Sequence, residues 1–159
     1  MKKLNLNLAA SLFAAILFAA SFAHSNQILA QGTGLVTIQS KYSYDQTVTE
    51  LKQAVAKGGM MVMSEINQGK MLAMTGIKLN AVSIFVGSPT VGNKLFTADR
   101  AVGFVVPIRV NVYENTDGKT YISYVKPSSQ LNSFNNKQVD MIATMLDQKL
   151  EMLTGMLAK

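Results

Sequence analysis

The fold is decided by residues Ser83 to Pro127, which read SIFVGSPTVGNKLFTADRAVGFVVPIRVNVYENTDGKTYISYVKP. Ala81 to Val86 is predicted to be a strand with Val82, Ile84 and Val86 on one face and Ser83 and Phe85 on the other, and Gly87-Ser88-Pro89 ends it. A second turn signal, Asn115 to Gly118, places glycine where a left-handed residue is wanted and predicts a hairpin. The stretch therefore predicts strands joined by tight turns.

The hairpin is predicted to join a long strand from Phe104 to Glu114 with a returning strand from Lys119 to Lys126. Alternation predicts two faces for it. The apolar face holds Phe104, Val106, Ile108, Val110 and Val112, and the polar face holds Arg109, Asn111, Tyr113, Tyr121 and Ser123. Pro107 has no N–H to donate to a ladder, so it predicts an edge position or a bulge.

The flanking sequence supplies further strands and helices. Strands are predicted from Val36 to Tyr42 and from Met60 to Ile66, and helices are predicted between glycine-marked ends. The first helix is predicted with Ser43 or Asp45 as its cap, a short helical piece is predicted from Lys70 to Thr75, and Val91 to Arg100 is predicted to be a short helix or an ordered loop. A polar connection covers Ser128 to Asn136. Together these predict an α+β domain from residue 31 to residue 159, with one mainly antiparallel sheet and helices packed on one face.

The last helix is predicted from Val139 to Leu157 and carries two apolar stripes. One stripe suits packing on a sheet; it contains Val139, Ile142, Leu146, Leu150, Leu153 and Leu157. The second lies about 110 degrees round the helix, and it contains Met141, Met145, Met152 and Met156. Because one sheet face needs only one stripe, the methionines are a candidate homodimer interface, and the exposed sheet surface is the alternative.

The N-terminus predicts export. Lys2 and Lys3 precede an apolar run from Leu8 to Phe22, which is too short to span a bilayer and ends in small residues. Residues 1–23 are therefore predicted to be a signal peptide cleaved before His24, with Ala30 as a second candidate end. The predicted location is the periplasm or the medium, with no stable membrane span after cleavage.

Composition excludes several kinds of site. The chain has no cysteine, which rules out disulfides, thiol nucleophiles and zinc-thiolate sites. Its one histidine, His24, precedes the predicted domain, so the domain has no imidazole for acid–base chemistry. Loss of Lys2 and Lys3 lowers the formal charge from +6 to +4, and the basic residues form no run, so nucleic acid is not an expected partner. No cofactor, metal residue or catalytic residue is assigned.

With these residues placed, the chain resembles the domain of unknown function 302 family from about Val36 to Leu157. The resemblance is carried by Phe85 to Pro89, Val106-Pro107 through Glu114, Asp117-Gly118-Lys119, and Tyr124 to Pro127. It implies a β-α-β(4)-α domain with a TATA-box-binding-protein-like layout, often paired as a homodimer, and brings no established activity. The chain departs from the family pattern at Gln68, Ser88 and Val125-Lys126.

Two groups of residues are candidate ligand sites. Gly87, Ser88 and Pro89, with Gly92, could present backbone N–H groups to an anion, although a tight turn that needs glycine for its dihedral angles is the alternative. Arg109, Tyr113 and Tyr121 on the polar hairpin face could bind a small ligand, and an ordinary solvated sheet face is the alternative. Tyr124 is a further candidate site residue. If the protein is an enzyme, Tyr124, Arg109 and a carboxylate are the residues that would act on the substrate.

The methionines support a second class of function. The chain has ten methionines, and thioethers suit copper(I), whereas adaptable packing is the alternative explanation. The sequence is therefore interpreted as an exported, non-enzymatic ligand-binding or protein-interaction module that acts as a homodimer. Periplasmic copper(I) handling is the alternative, and an enzyme acting on a small substrate is the third.

Overall fold

The structure is a computed structural model, and it describes residues 34–159. The predicted signal peptide and its cleavage sites lie outside these residues. Residues 34–159 form five strands: β1 (Leu35–Gln39), β2 (Met61–Ile66), β3 (Ala81–Gly87), β4 (Ile108–Glu114) and β5 (Thr120–Val125). The α-helices are α1 (Tyr44–Lys57), α2 (Gln68–Ala73), α3 (Pro89–Ala98), α4 (Pro127–Leu131) and α5 (Lys137–Gly155), with 3-10 helices at Arg100–Phe104 and Asn132–Phe134.

The strands form one antiparallel sheet in the order β1-β5-β4-β3-β2. The β4–β5 hairpin forms as predicted, because Gly118 closes the turn with a φ of 73° and its N–H donates to the carbonyl of Asn115 at 2.9 Å. β4 therefore lies in the middle of the sheet, between β3 and β5. The predicted α+β class with a single antiparallel sheet is confirmed.

The core lies between one face of the sheet and the two long helices. β3, β4 and β5 contribute alternate residues to it, including Ile84, Val110 and Ile122, which are almost fully buried. The first stripe of α5 packs against these strands as predicted, with Ile142 only partly buried. Asn136 caps α5 by accepting from the backbone N–H groups of Gln138 and Val139. The predicted two-stripe helix therefore buries one stripe against the sheet.

The start of β4 differs from the prediction. Phe104 belongs to a 3-10 helix and is 92% exposed, and β4 begins only at Ile108. Pro107 stands immediately before the strand, so its missing N–H removes no ladder bond, and β4 is neither an edge strand nor bulged at this proline. The register irregularity of the sheet lies in β2 instead, between Val62 and Ser64.

The segment after the sheet also differs from the prediction. Ser128 to Asn136 was expected to be a polar connection, but Pro127 to Leu131 forms α4 and Asn132 to Phe134 forms a 3-10 helix. Pro127 occupies the first turn of α4, where its missing N–H is not needed, and Leu131 is completely buried.

Within residues 34–159, no helix combines the length and the apolar character needed to cross a membrane.

Candidate functional site

The sheet face opposite α1 and α5, called the open face below, carries the polar residues of the hairpin. Strand register places Asn111 at its centre, paired with Ser83 on β3 and with Ser123 on β5. Arg109 lies opposite Phe85, and Tyr113 lies opposite Tyr121. The strand register therefore places these hairpin residues on one face of the sheet, as predicted.

One end of the open face is concave, and this hollow is called the depression. Its volume is about 510 Å³, within the range of small-molecule sites. Strand residues form its floor, and Gln68 of α2, Phe104 of the 3-10 helix and Gln130 of α4 add to its walls. The floor includes Ser83, Phe85, Arg109, Asn111 and Ser123. Separate stretches of the described chain, from Leu35 to Gln130, therefore contribute to one site.

Arg109 is the only charged residue that lines the depression among the described residues. Its guanidinium makes no ion pair or hydrogen bond within residues 34–159, where the ion pairs join Lys52 with Glu65 and Lys119 with Asp117. An arginine fork presents up to five N–H donors in one plane. The depression therefore contains an uncompensated positive charge with several free donors.

Neutral polar groups lie beside this arginine. Ser83 is 2% exposed, and its hydroxyl donates to Oδ1 of Asn111 across 3.5 Å, which is at the long limit of a hydrogen bond. The amide nitrogen of Asn111 and the hydroxyl of Ser123 have no partner in the described part of the chain. The floor can therefore donate hydrogen bonds to a ligand.

The two tyrosines lie at the other end of the open face. The rings of Tyr113 and Tyr121 are stacked, with centroids 5.7 Å apart, and Tyr121 donates to Oδ2 of Asp117 at 3.1 Å. This hydrogen bond raises the pKa of Tyr121, while the backbone N–H of Lys119 is the main cause that lowers the pKa of Asp117. Neither tyrosine lines the depression. The structure thus separates them from Arg109 along the same face.

Tyr124 belongs to the other side of the sheet. It borders the depression, but it alternates with Ser123 along β5 and is 4% exposed within the core cluster. Burial is the main cause that raises the pKa of Tyr124 above its ordinary value of 10.0. The structure therefore does not bring the Tyr124 ring onto the open face with Arg109.

Gly87, Ser88 and Pro89 line a separate apolar cavity of about 200 Å³ on the core side. Gly87 does not have positive φ, so the predicted dihedral requirement is wrong; a Cβ there would lie 3.3 Å from Cγ of Met63, a tight contact with a flexible side chain. The N–H of Gly92 donates to the carbonyl of Ser88 at 2.8 Å. The N–H of Gly92 is therefore used within the first turn of α3 and is not available to an anion.

Six of the nine methionines in residues 34–159 form two sets, and the other three, Met61, Met71 and Met74, are exposed. Met60 and Met63 line the apolar cavity together, whereas the α5 stripe is exposed, at 43–68% for Met145, Met152, Met156 and Met141. The described residues contain no cluster of three or more His, Cys, Asp or Glu side chains that could hold a metal ion.

Several residues of the depression were not candidates from the sequence. Strand alternation places Ser83 and Phe85 on the opposite face of β3 from Ile84, so this pattern was enough to find them. The sequence predicts Phe104 on the apolar face of a longer strand and Gln130 in a polar connection. Both reach the depression because of local helices that periodicity did not reveal.

Curated relatives match part of the chain. A protein named fluoride-specific ion channel FluC 1 from Brucella suis biovar 1 is 27% identical over 97 residues, which are 60% of this chain and 38% of that protein. A protein named fluoride-specific ion channel FluC 2 from Brucella melitensis biotype 1 is likewise 27% identical over 97 residues, which are 36% of its length. The chain thus matches little more than a third of each relative.

A solved structure shares the fold. The crystal structure of an uncharacterized conserved protein DUF302 from Bacillus stearothermophilus has a TM-score of 0.73, with 19% identity, and the match covers 78% of this chain and 98% of that one. The TATA-box-binding-protein-like layout implied by the resemblance stays an expectation. The family model described as Domain of unknown function DUF302 matches residues 36–158. On this match over most of its length, the chain belongs to the DUF302 family.

Proposed function

We propose that this protein is an exported, non-enzymatic binding module that holds a small ligand in the depression of the open face. The observation that carries the proposal is a hollow of about 510 Å³ whose floor contains the unpaired guanidinium of Arg109. Sites of this size with a few convergent polar groups are typical of small-molecule binding. Export rests on the predicted signal peptide.

A metabolite screen tests binding at this site. The full chain is expressed, and the purified protein is screened by thermal shift against metabolites of mixed charge, with sodium fluoride included because of the names of the Brucella relatives. Ser123→Phe places a ring on the floor of the depression and should abolish the shifts, because it occupies the ligand's volume. Thr49→Phe, on the exposed side of α1, is the matched control and should keep them. An absence of hits, or hits that survive Ser123→Phe, would refute the site.

The same proposal includes a homodimer joined through the methionine stripe of α5. A two-fold axis would place the same stripe of two copies in contact, and flexible thioethers adapt to such a surface. The four methionines are exposed in the single chain, which leaves them free for a partner copy. This arrangement keeps the open face available to the ligand.

Light scattering tests the dimer. Met145→Glu and Met152→Glu should convert a dimer to a monomer, because paired interfaces would bury like charges. Thr49→Glu, on α1, should leave the mass unchanged. A wild-type protein that stays monomeric at high concentration would rule out the dimer, and a dimer that survives both methionine changes would place the interface elsewhere.

Copper(I) handling is the second candidate. It draws on Met60 and Met63, which line one cavity together, and on the affinity of thioethers for soft metals. Competition with a copper(I) chelator measures it. Affinity that is lost in Met63→Leu, which keeps the side chain's size, would support copper handling, whereas binding no tighter than about millimolar (about −4 kcal/mol) would end it.

A further inference from the structure

We infer that the ligand of the depression is an organic monoanion, in which a carboxylate pairs with Arg109 and an apolar body lies along Phe85 and Phe104. This inference rests on the proposed function, because it names the chemical class that the same site would hold. It is argued from the charge, the donors and the aromatic rings around the hollow.

The charge of the site favours an anion. Arg109 projects from β4, the central strand, and no aspartate or glutamate is among the described residues that line the depression. Arg109 is an exposed residue, so a ligand can reach its guanidinium from solvent, and opposite charges attract each other there. The planar guanidinium matches the two oxygens of a carboxylate in a bidentate pair. A carboxylate therefore fits the strongest free group in the site.

The neighbouring groups add donors. The hydroxyl of Ser83 already points its donor at Oδ1 of Asn111, which leaves the amide nitrogen of Asn111 to donate outward. Ser123 lies next to Asn111 in the register of β4 and β5 and offers a hydroxyl. Arg109, Asn111 and Ser123 can thus donate together from one patch of floor, and a group with two acceptor oxygens satisfies them best.

The aromatic rings call for an apolar body beyond the carboxylate. Phe85 lies directly opposite Arg109 across the β3–β4 ladder, and Phe104 stands at the wall with 92% of its surface exposed. A fully exposed phenylalanine gains by covering its ring with an apolar surface. The hollow also exceeds the size of an inorganic ion. These features favour a small aromatic or aliphatic acid over fluoride or phosphate.

Matched pairs of probes test the inference by isothermal titration on the protein purified from the full chain. Benzoate and hexanoate are compared with benzamide and hexanamide, which keep the size and lose the charge, and with sodium fluoride and inorganic phosphate. The acids should bind about 10- to 100-fold more tightly than the amides, as expected for a charge-assisted hydrogen bond. Arg109→Gln should remove that difference, and Arg109→Lys should restore only part of it.

Arg100→Gln is the control, because Arg100 is exposed on the same 3-10 helix as Phe104 and does not line the depression; it should leave all affinities unchanged. Phe104→Ala should weaken benzoate and spare phosphate. Amides that equal the acids would overturn the inference while leaving a neutral-ligand site intact. If inorganic ions bind as tightly as benzoate, the inferred contact of an apolar body with Phe85 and Phe104 is wrong. If neither acid binds, the whole inference is wrong. The metabolite screen separately shows whether the depression binds a ligand of another charge.

Discussion

Leu150→Ala tests whether the two stripes of α5 divide the helix into a buried face and an exposed face. Leu150 is 1% exposed and belongs to the core cluster between α5 and the sheet. The change removes three carbon atoms from the core, for which the lost transfer free energy is about 2.4 kcal/mol at 0.8 kcal/mol for each methylene group. The cavity that remains adds to this loss, and we expect the free energy of unfolding to fall by about 3–4 kcal/mol.

Urea denaturation followed by far-UV circular dichroism measures this loss, because the chain has no tryptophan to report on folding. In a thermal melt the same loss should lower Tm by roughly 10–20 °C for a domain of this size. Gln148→Ala is the matched control, since Gln148 is exposed two residues away on the same helix, and its effect should stay within about 0.5 kcal/mol.

A second substitution at the same site protects the test against a protein that fails to fold. Leu150→Met keeps the side-chain volume and should cost less than about 1.5 kcal/mol. If Leu150→Ala and Gln148→Ala lowered stability equally, or if Leu150→Ala cost less than about 1 kcal/mol, the assignment of the buried stripe would be refuted.

Three further predictions concern the sheet and its neighbours. Burial raises the pKa of Tyr124, so the folded state holds the phenolic proton more tightly than the unfolded state; the resulting stability is present below about pH 10 and is lost as pH rises through the folded pKa. Tyr124→Phe should therefore lessen the alkaline loss of stability in urea titrations at pH 9 to 11 (about one unit on either side of the ordinary pKa), and an unchanged slope would contradict this. Gly69→Ala should cost about 1–3 kcal/mol, because a Cβ there would overlap the backbone carbonyl of Leu79; Gly92→Ala, which meets no atom, is the control, and equal effects would argue against the close approach of α2. Phe104→Ala should change stability by less than about 0.5 kcal/mol in chemical denaturation, since the ring is almost fully exposed; a core-sized loss would favour the longer strand predicted from the sequence.

Hydrophobic periodicity predicted strands and helices best where one face of the element is buried. The stripe from Val139 to Leu157 and the alternation from Ile108 to Val112 each report a surface that must avoid water, so both were readable from residue order. Phe104 and Val106 extended the same alternation, but they lie before β4 in a 3-10 helix and the turn that follows it. An apolar residue that fits the two-residue alternation of a strand does not show whether its backbone is hydrogen-bonded in the sheet.

The sequence by itself determined the α+β class, the hairpin at Asn115 to Gly118, the polar face of Arg109 and Tyr113, and the absence of thiol chemistry, because these depend on local periodicity, turn residues and composition. Only the tertiary structure decided that Arg109 shares a depression with Phe104 and with Gln68, while Tyr124 faces the core. Those groupings depend on how distant segments pack against one sheet, and no local pattern encodes the distance between side chains that lie far apart along the chain.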